Sequence, residues 1–163
     1  YNMLVQFDQL SETSRVWVYQ SNRTLTENEV AEISKELEVF IQQWKRHGDD
    51  LKASFQIKYN HFIILSVDES YHPVSGCSID ASTHLIKQLE QKYRIELLNK
   101  MKTAFRSGEH INVVSLSDFK QYASEQKVSP NTIVFNNMVG TKKELESAWE
   151  IESGKSWHSR FFN

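Results

Sequence analysis

HFIILSVDES, residues 61–70, holds a run from Phe62 to Val67 in which five of six residues are apolar, on both alternating faces. A strand with one face in water alternates apolar and polar. One that is apolar on both faces reads as the central strand of a covered sheet, here ended by Asp68-Glu69-Ser70. Upstream, KASFQIKY (52–59) reads as a partner strand, and the two meet near Asn60 as a hairpin. Downstream, SIDASTHLIKQLEQKY (78–93) places Leu85, Ile86, Leu89 and Tyr93 on one helical face.

The pattern continues outward on both sides. RVWVYQ (15–20) is β-branched and aromatic, a strand running into the polar QSNR. Thr26 and Glu29 are spaced as a capping box, each side chain able to serve the other's free backbone N–H. Val30, Ile33, Leu37, Phe40, Ile41 and Trp44 follow at helical spacing, with Gly48 as the expected stop and His47 a cation at that helix end. KTAFR (102–106) and EHINVVSL (109–116) form an expected hairpin around Ser107-Gly108. SDFKQYASEQ (117–126) reads as a short helix, NTIVFNN (131–137) as a strand and KKELESAW (142–149) as a last helix. Strand, helix, strand, strand, helix, strand is the order of an α+β, ferredoxin-like βαββαβ sandwich core with C-terminal strand and helix additions. The expectation is a single domain over residues 1–163, with an irregular tail, 150–163, packed back on it.

Composition narrows the function classes. A chain of 163 residues with 39% hydrophobic and 12% aromatic residues can bury a sizeable core. A formal charge of −2 argues against a broad nucleic-acid footprint. No stretch approaches the roughly 18 apolar residues of a membrane span. The opening YNMLVQFDQL has neither a basic n-region nor an apolar h-region, and the chain holds one cysteine; a cytoplasmic location is expected.

Candidate chemistry gathers around PVSGCSIDAS (73–82), where the lone Cys77 follows a glycine just before a helical pattern. If the first and third strands lie side by side and parallel, their C-terminal ends open at one edge. That edge would collect Gln20, Ser21, Asn22 and Arg23, then Asp68 and Glu69, then Gly76, Cys77, Ser78 and Asp80. Both long helices would begin there, with Asn136 and Asn137 nearby and WHSRF, including Arg160, folded over.

Three readings of Gly76-Cys77-Ser78 stand open. Gly76 allows a tight turn while Ser78 or Asp80 caps the helix and Cys77 is a small buried hydrophobe. Alternatively, free N–H groups hold a small anion with Arg23 or Arg160 supplying charge. In the third, Cys77 is a helix-end thiolate nucleophile, with His72 or His84 as its base and Asp80 or Glu69 orienting that base. The spacing of Asp80, His84, His72 and Cys77 matches no closed zinc pattern, so neither metal nor cofactor is expected.

SRVWVYQSNR, HGDDLKASFQIKYN, SGCSIDAS, SPNTIVFNN and SWHSRF together resemble a family of short, uncharacterised bacterial proteins often carried under the name "ABC transporter ATPase". The resemblance covers nearly the whole chain and implies no catalytic residues. The label itself can be tested on the residues. A Gly-rich phosphate loop needs G-x-x-x-x-G-K-[ST] between a strand and a helix. WEIESGKS (149–156) has Gly154-Lys155-Ser156 but Trp149 where the first glycine belongs, and no LSGGQ run occurs. ATPase activity of that type is therefore not expected. The expectation is a small-ligand or anion-binding regulatory domain, with a Cys77-dependent enzyme and a structural or protein-interaction domain as alternatives. The partner would be a small molecule or a protein, and the sequence leaves the oligomeric state open.

Overall fold

The computed structural model describes residues 5–46, 49–70 and 73–163. His47, Gly48 and His72 lie outside the described residues. The chain divides into two compact units, residues 1–98 with 140–143, and residues 99–139 with 144–163.

In the first unit, strand β1 (Arg15–Gln20) leads to helix α1 (Glu27–Gln43). The two-residue strands β2 (Lys45–Arg46) and β3 (Asp49–Asp50) follow, then β4 (Ala53–Lys58), β5 (Phe62–Val67) and α2 (Gly76–Tyr93). The capping box forms as expected: Glu29 N–H donates to Thr26 Oγ1 at 3.1 Å and Thr26 N–H donates to Glu29 Oε1 at 2.9 Å. The helix stops at Gln43, several residues short of Gly48, because Trp44 turns extended and donates its N–H to Ile41 O.

The sheet order is β1-β5-β4, with Trp17 opposite Leu65 and Phe55 opposite Leu65 on the other side. All six residues of β5 are buried, as a central strand with apolar residues on both faces requires. Ile63, Leu65 and Tyr19 pack against Ile33 and Leu37 of α1 and Ile86, Leu89 and Tyr93 of α2. A three-residue turn in which Tyr59 and Asn60 take left-handed φ of 57° and 53° reverses the chain between β4 and β5.

Two expectations are corrected here. The βαββα order is kept, but β1 and β5 run antiparallel, not parallel. The cause is directional: α1 returns the chain so that β4 runs the same way as β1, and the tight turn then sends β5 back between them. The strand after α2 does not complete a βαββαβ sheet either. Beyond its pairing with β5, β1 carries among the described residues one antiparallel bridge, Arg15 to Thr141, with Val16 N–H donating to Gly140 O at 3.0 Å.

The second unit holds β6 (Lys102–Ser107), β7 (His110–Ser115), α3 (Leu116–Ser124), β8 (Ile133–Phe135) and β9 (Glu150–Glu152). A short helix α4 spans Lys142–Ala148. The sheet order is β7-β6-β8-β9, every pair antiparallel. Phe105, Phe119, Val128 and Val134 form its core, with Val114, Tyr122, Phe161 and Phe162 against them. The tail is more regular than expected. It contributes β9 and two 3-10 turns, Ser153–Lys155 and Trp157–Phe162, the second set against Phe119.

Candidate functional site

The reversal of β5 parts the expected edge. Gln20 pairs with Phe62 at one end of the sheet and Arg15 with Val67 at the other, so Gln20–Arg23 and Asp68–Glu69 lie at opposite ends. Helix α2, 18 residues and hence about 27 Å long, separates its Gly76 start from its Tyr93 end. The Gln20–Arg23 end meets the Tyr93 end: Arg23 Nη2 donates to Tyr93 O at 2.8 Å, and Asn22 Oδ1 accepts from Glu96 N–H at 2.7 Å. Only α1 begins there; α2 begins at the Asp68 end.

At the first end the polar residues serve the fold. Ser21 Oγ donates to Arg23 O at 2.6 Å. The Arg23 guanidinium grips both oxygens of Glu29 at 2.8 Å each, fastening the start of α1 to the end of α2. That grip, with the Thr26 backbone N–H, holds the Glu29 carboxyl down to about 2. His61, whose carbonyl accepts from Ser21 N–H at 2.8 Å, is buried, and its Nε2 has no hydrogen-bond partner. Burial lowers its pKa.

The second end holds Asp68, Glu69 and the start of α2. Asp68 Oδ1 accepts from Ser70 N–H at 2.9 Å, with Lys52 Nζ at 3.9 Å from Oδ2. Burial pushes that carboxyl up, but Ser70 and Lys52 outweigh it and leave it below its ordinary value. Glu69 Oε1 accepts from Val74 N–H at 3.0 Å and stands 3.8 Å from Arg15. The cap of α2 is Ser75, whose hydroxyl accepts from Ser78 N–H at 3.2 Å, rather than Ser78 or Asp80. Ser78 is buried, and its carbonyl accepts from Trp44 Nε1 at 2.8 Å. This bond locks the end of α1 to the first turn of α2.

Cys77 is exposed, so the buried-hydrophobe reading is corrected: the second residue of α2 points to solvent. Asp80 and His84 are exposed as well, and His84 Nε2 meets Gln88 Nε2 at 3.2 Å, one turn along its own helix. Seven residues at about 1.5 Å each put His84 roughly 10 Å along the helix from Cys77. No imidazole among the described residues partners the thiol. The described residues also hold no group of three His, Cys, Asp or Glu side chains that could bind a metal ion. No described helix is long and apolar enough to cross a membrane.

Asn136, Asn137 and Arg160 are held inside the second unit. Asn136 N–H donates to Trp149 O at 2.6 Å, Asn137 Oδ1 accepts from Trp149 Nε1 at 2.9 Å, and the Arg160 guanidinium lies over the Trp157 and Phe161 rings. Gly154 and Lys155 fall in a 3-10 turn. Gly154 N–H donates to Pro130 O at 2.8 Å, and Ser153 N–H donates to Thr132 O at 2.8 Å. A phosphate cradle needs such N–H groups turned outward.

One constellation had no sequence signal. His158 is fully buried, its Nδ1 2.6 Å from Ser156 Oγ and its Nε2 2.5 Å from Thr103 Oγ1. The ring stacks on Trp157 at 3.7 Å between centroids and meets the Phe119 edge at 5.4 Å. Burial first, then the positive Arg160, pushes its pKa down to about 4. A neutral imidazole between two hydroxyls, enclosed by aromatic rings, is a packed hub with no room for a substrate. Residues 55 apart in sequence make it, so no local motif announces it.

Two of the depressions formed by the described residues lie on the first unit. One of about 610 Å³ lies along β4 and is polar, lined by Gln6, Asp8, Gln9, Glu38, Ser54 and Gln56 among others. The other, about 400 Å³, is a groove on α1 and α2 lined by Lys35, Glu36, Val39, Phe40, Gln43 and Leu85. Neither contains an expected site residue. Comparison with family models, with curated proteins and with solved structures finds no match to this chain.

Proposed function

We propose that the chain is a non-catalytic interaction module that binds a partner protein through the groove on α1 and α2. The observation that carries this reading is the groove itself. Val39, 54% exposed in the middle of a helix, sits beside Phe40 and Leu85 in an apolar floor, while Lys35 and Glu36 frame it with both signs of charge. Exposed apolar side chains in a groove between helices suit the apolar face of a third, amphipathic helix. Of the polar residues first expected to bind a small molecule, Ser21, Asn22, Arg23, Asp68 and Glu69 are engaged in turns and in fastening the helices. On this reading the resemblance to the short bacterial family brings no ATPase chemistry.

The test is site-specific photo-crosslinking from Gln43 in the cells that make the protein, with the joined peptide sequenced. The expected product is one protein, linked through an amphipathic helix, and lost when Val39→Asp and Leu85→Asp are introduced. Crosslinking that is unchanged by those substitutions overturns the reading. So does a small molecule held stoichiometrically by the purified protein in native mass spectrometry, which would favour the ligand-binding reading.

A further inference from the structure

Strand β7 forms one edge of the second unit's sheet and carries HINVVS, six residues with no charge, no proline and no bulge in its register with β6. Long edge strands normally carry lysine, proline or a bulge that discourages pairing with another chain. The orientation of its backbone follows from the turn. Ser107 and His110 close a two-residue loop in which Gly108 has φ of 63°, the value a II′ hairpin needs at its first central position. The closing pair of such a hairpin exchanges hydrogen bonds, and alternate pairs do the same. His110, Asn112 and Val114 therefore bond to β6, while Ile111 and Val113 turn their N–H and C=O groups outward; Ser115 ends the strand as the N-cap of α3. Among the described residues no backbone hydrogen bond from outside the hairpin reaches 111 or 113.

We infer that the occupant of this edge is a second copy of the chain, β7 against β7 in antiparallel register about a two-fold axis at Asn112. The register is chosen by side chains. It sets Ile111 opposite Val113 of the other copy twice and Asn112 opposite Asn112, where two amides can bond each other. A shift of one pair along would set Asn112 against Val114. Charge agrees with the choice. Lys102 pairs with Ser115 on β6–β7, and the symmetric register brings Glu109 of the other copy into that same row. Carboxylate and ammonium then face each other across a small serine, and do so twice. A generic extended peptide would supply no such match. The result is a continuous eight-stranded sheet. The pairing does not depend on the α1–α2 groove, so either can fail without the other.

Sedimentation equilibrium of the whole protein tests it. The wild type is expected to dimerise, and Asn112→Asp and Asn112→Lys each to be monomeric, because like charges meet at the two-fold. An equimolar mixture of the two is expected to regain the dimer. Val113→Pro, which removes an outward N–H without touching the β6 ladder, is expected to be monomeric with its circular dichroism unchanged. A wild-type monomer at several hundred micromolar overturns the inference, and so does a dimer that survives both Val113→Pro and Asn112→Asp. Should the variants unfold, hydrogen exchange of the wild type decides. Amides of Ile111 and Val113 that gain at least tenfold protection as concentration rises support the pairing, and amides that exchange at one fast rate throughout overturn it.

Discussion

His158 sits between Ser156 and Thr103 with its pKa held near 4, while in an unfolded chain it would titrate near its ordinary 6.5. Between those values the unfolded chain takes up a proton that the folded one refuses. Stability is therefore intact above about pH 6.5 and falls progressively toward pH 4, by about 3 kcal/mol for this residue. Urea unfolding at pH 7.5 and pH 4.5 measures the fall, and His158→Asn is expected to lose that part of it. An equal pH dependence in the variant would mean that the carboxylates carry all of it. Cys77 makes a second prediction at this scale. Exposed at the second position of α2, it is expected to react fully with a disulfide reagent in the native protein, and Cys77→Ser is expected to change the melting temperature by no more than a degree or two. Labelling that waits for unfolding would contradict the exposed position. The cap of α1 was legible, since Thr26 and Glu29 stand at capping-box spacing, whereas the cap of α2 proved to be Ser75 and not Ser78 or Asp80. The Cys77 environment was not legible, because a residue at a helix start faces core or solvent according to how the helix is rolled onto its sheet.

Helices α1 and α2 are joined at both ends, by Trp44 on Ser78 O and by Arg23 on Glu29 and Tyr93 O. Trp44→Phe keeps the ring's bulk but leaves the Ser78 carbonyl buried without its donor, and an unfolding free energy lower by about 1–3 kcal/mol is expected. Arg23→Ala is expected to cost only about 1 kcal/mol, since the side chain is 40% exposed and its ion pair is screened by water. A reversed ranking in denaturant titrations would place the stronger fastening at the solvent end. Gly154 shows what an element needs from one residue: a Cβ there would stand 3.1 Å from Pro130 Cβ and 3.2 Å from Pro130 O. Gly154→Ala is expected to push the turn off Pro130 and lower the melting temperature by several degrees. Elements were the most legible level of all. The apolar period of α1 and the two-sided apolar run of β5 are local properties of the chain. The three-residue β9 escaped, because a strand that short has no period of its own.

For the whole molecule, the residues that most resemble a nucleotide site, Gly154-Lys155-Ser156, belong to a turn after β9 in which Gly154 N–H donates to Pro130 O and Ser156 N–H to Ser153 O. Millimolar Mg-ATP is expected to leave the melting temperature unchanged, whereas a ligand at 100 times its dissociation constant stabilises by about 2.7 kcal/mol. A rise of several degrees would reopen the nucleotide question. The amino-acid sequence by itself determined which segments are strands and helices and where most of them stop, because periodicity, caps and turn residues act over a few neighbours. Direction and assembly were decided only by tertiary structure. Whether β5 runs with or against β1 depends on α1 carrying the chain back before the Tyr59–Asn60 turn reverses it. That one sign sends Arg23 to the end of α2 and leaves Cys77 at its start. The hub at His158 likewise joins Thr103 to a segment 55 residues away. Long-range pairings of this kind are set by burial of the whole set of side chains at once, and no short stretch of sequence contains them.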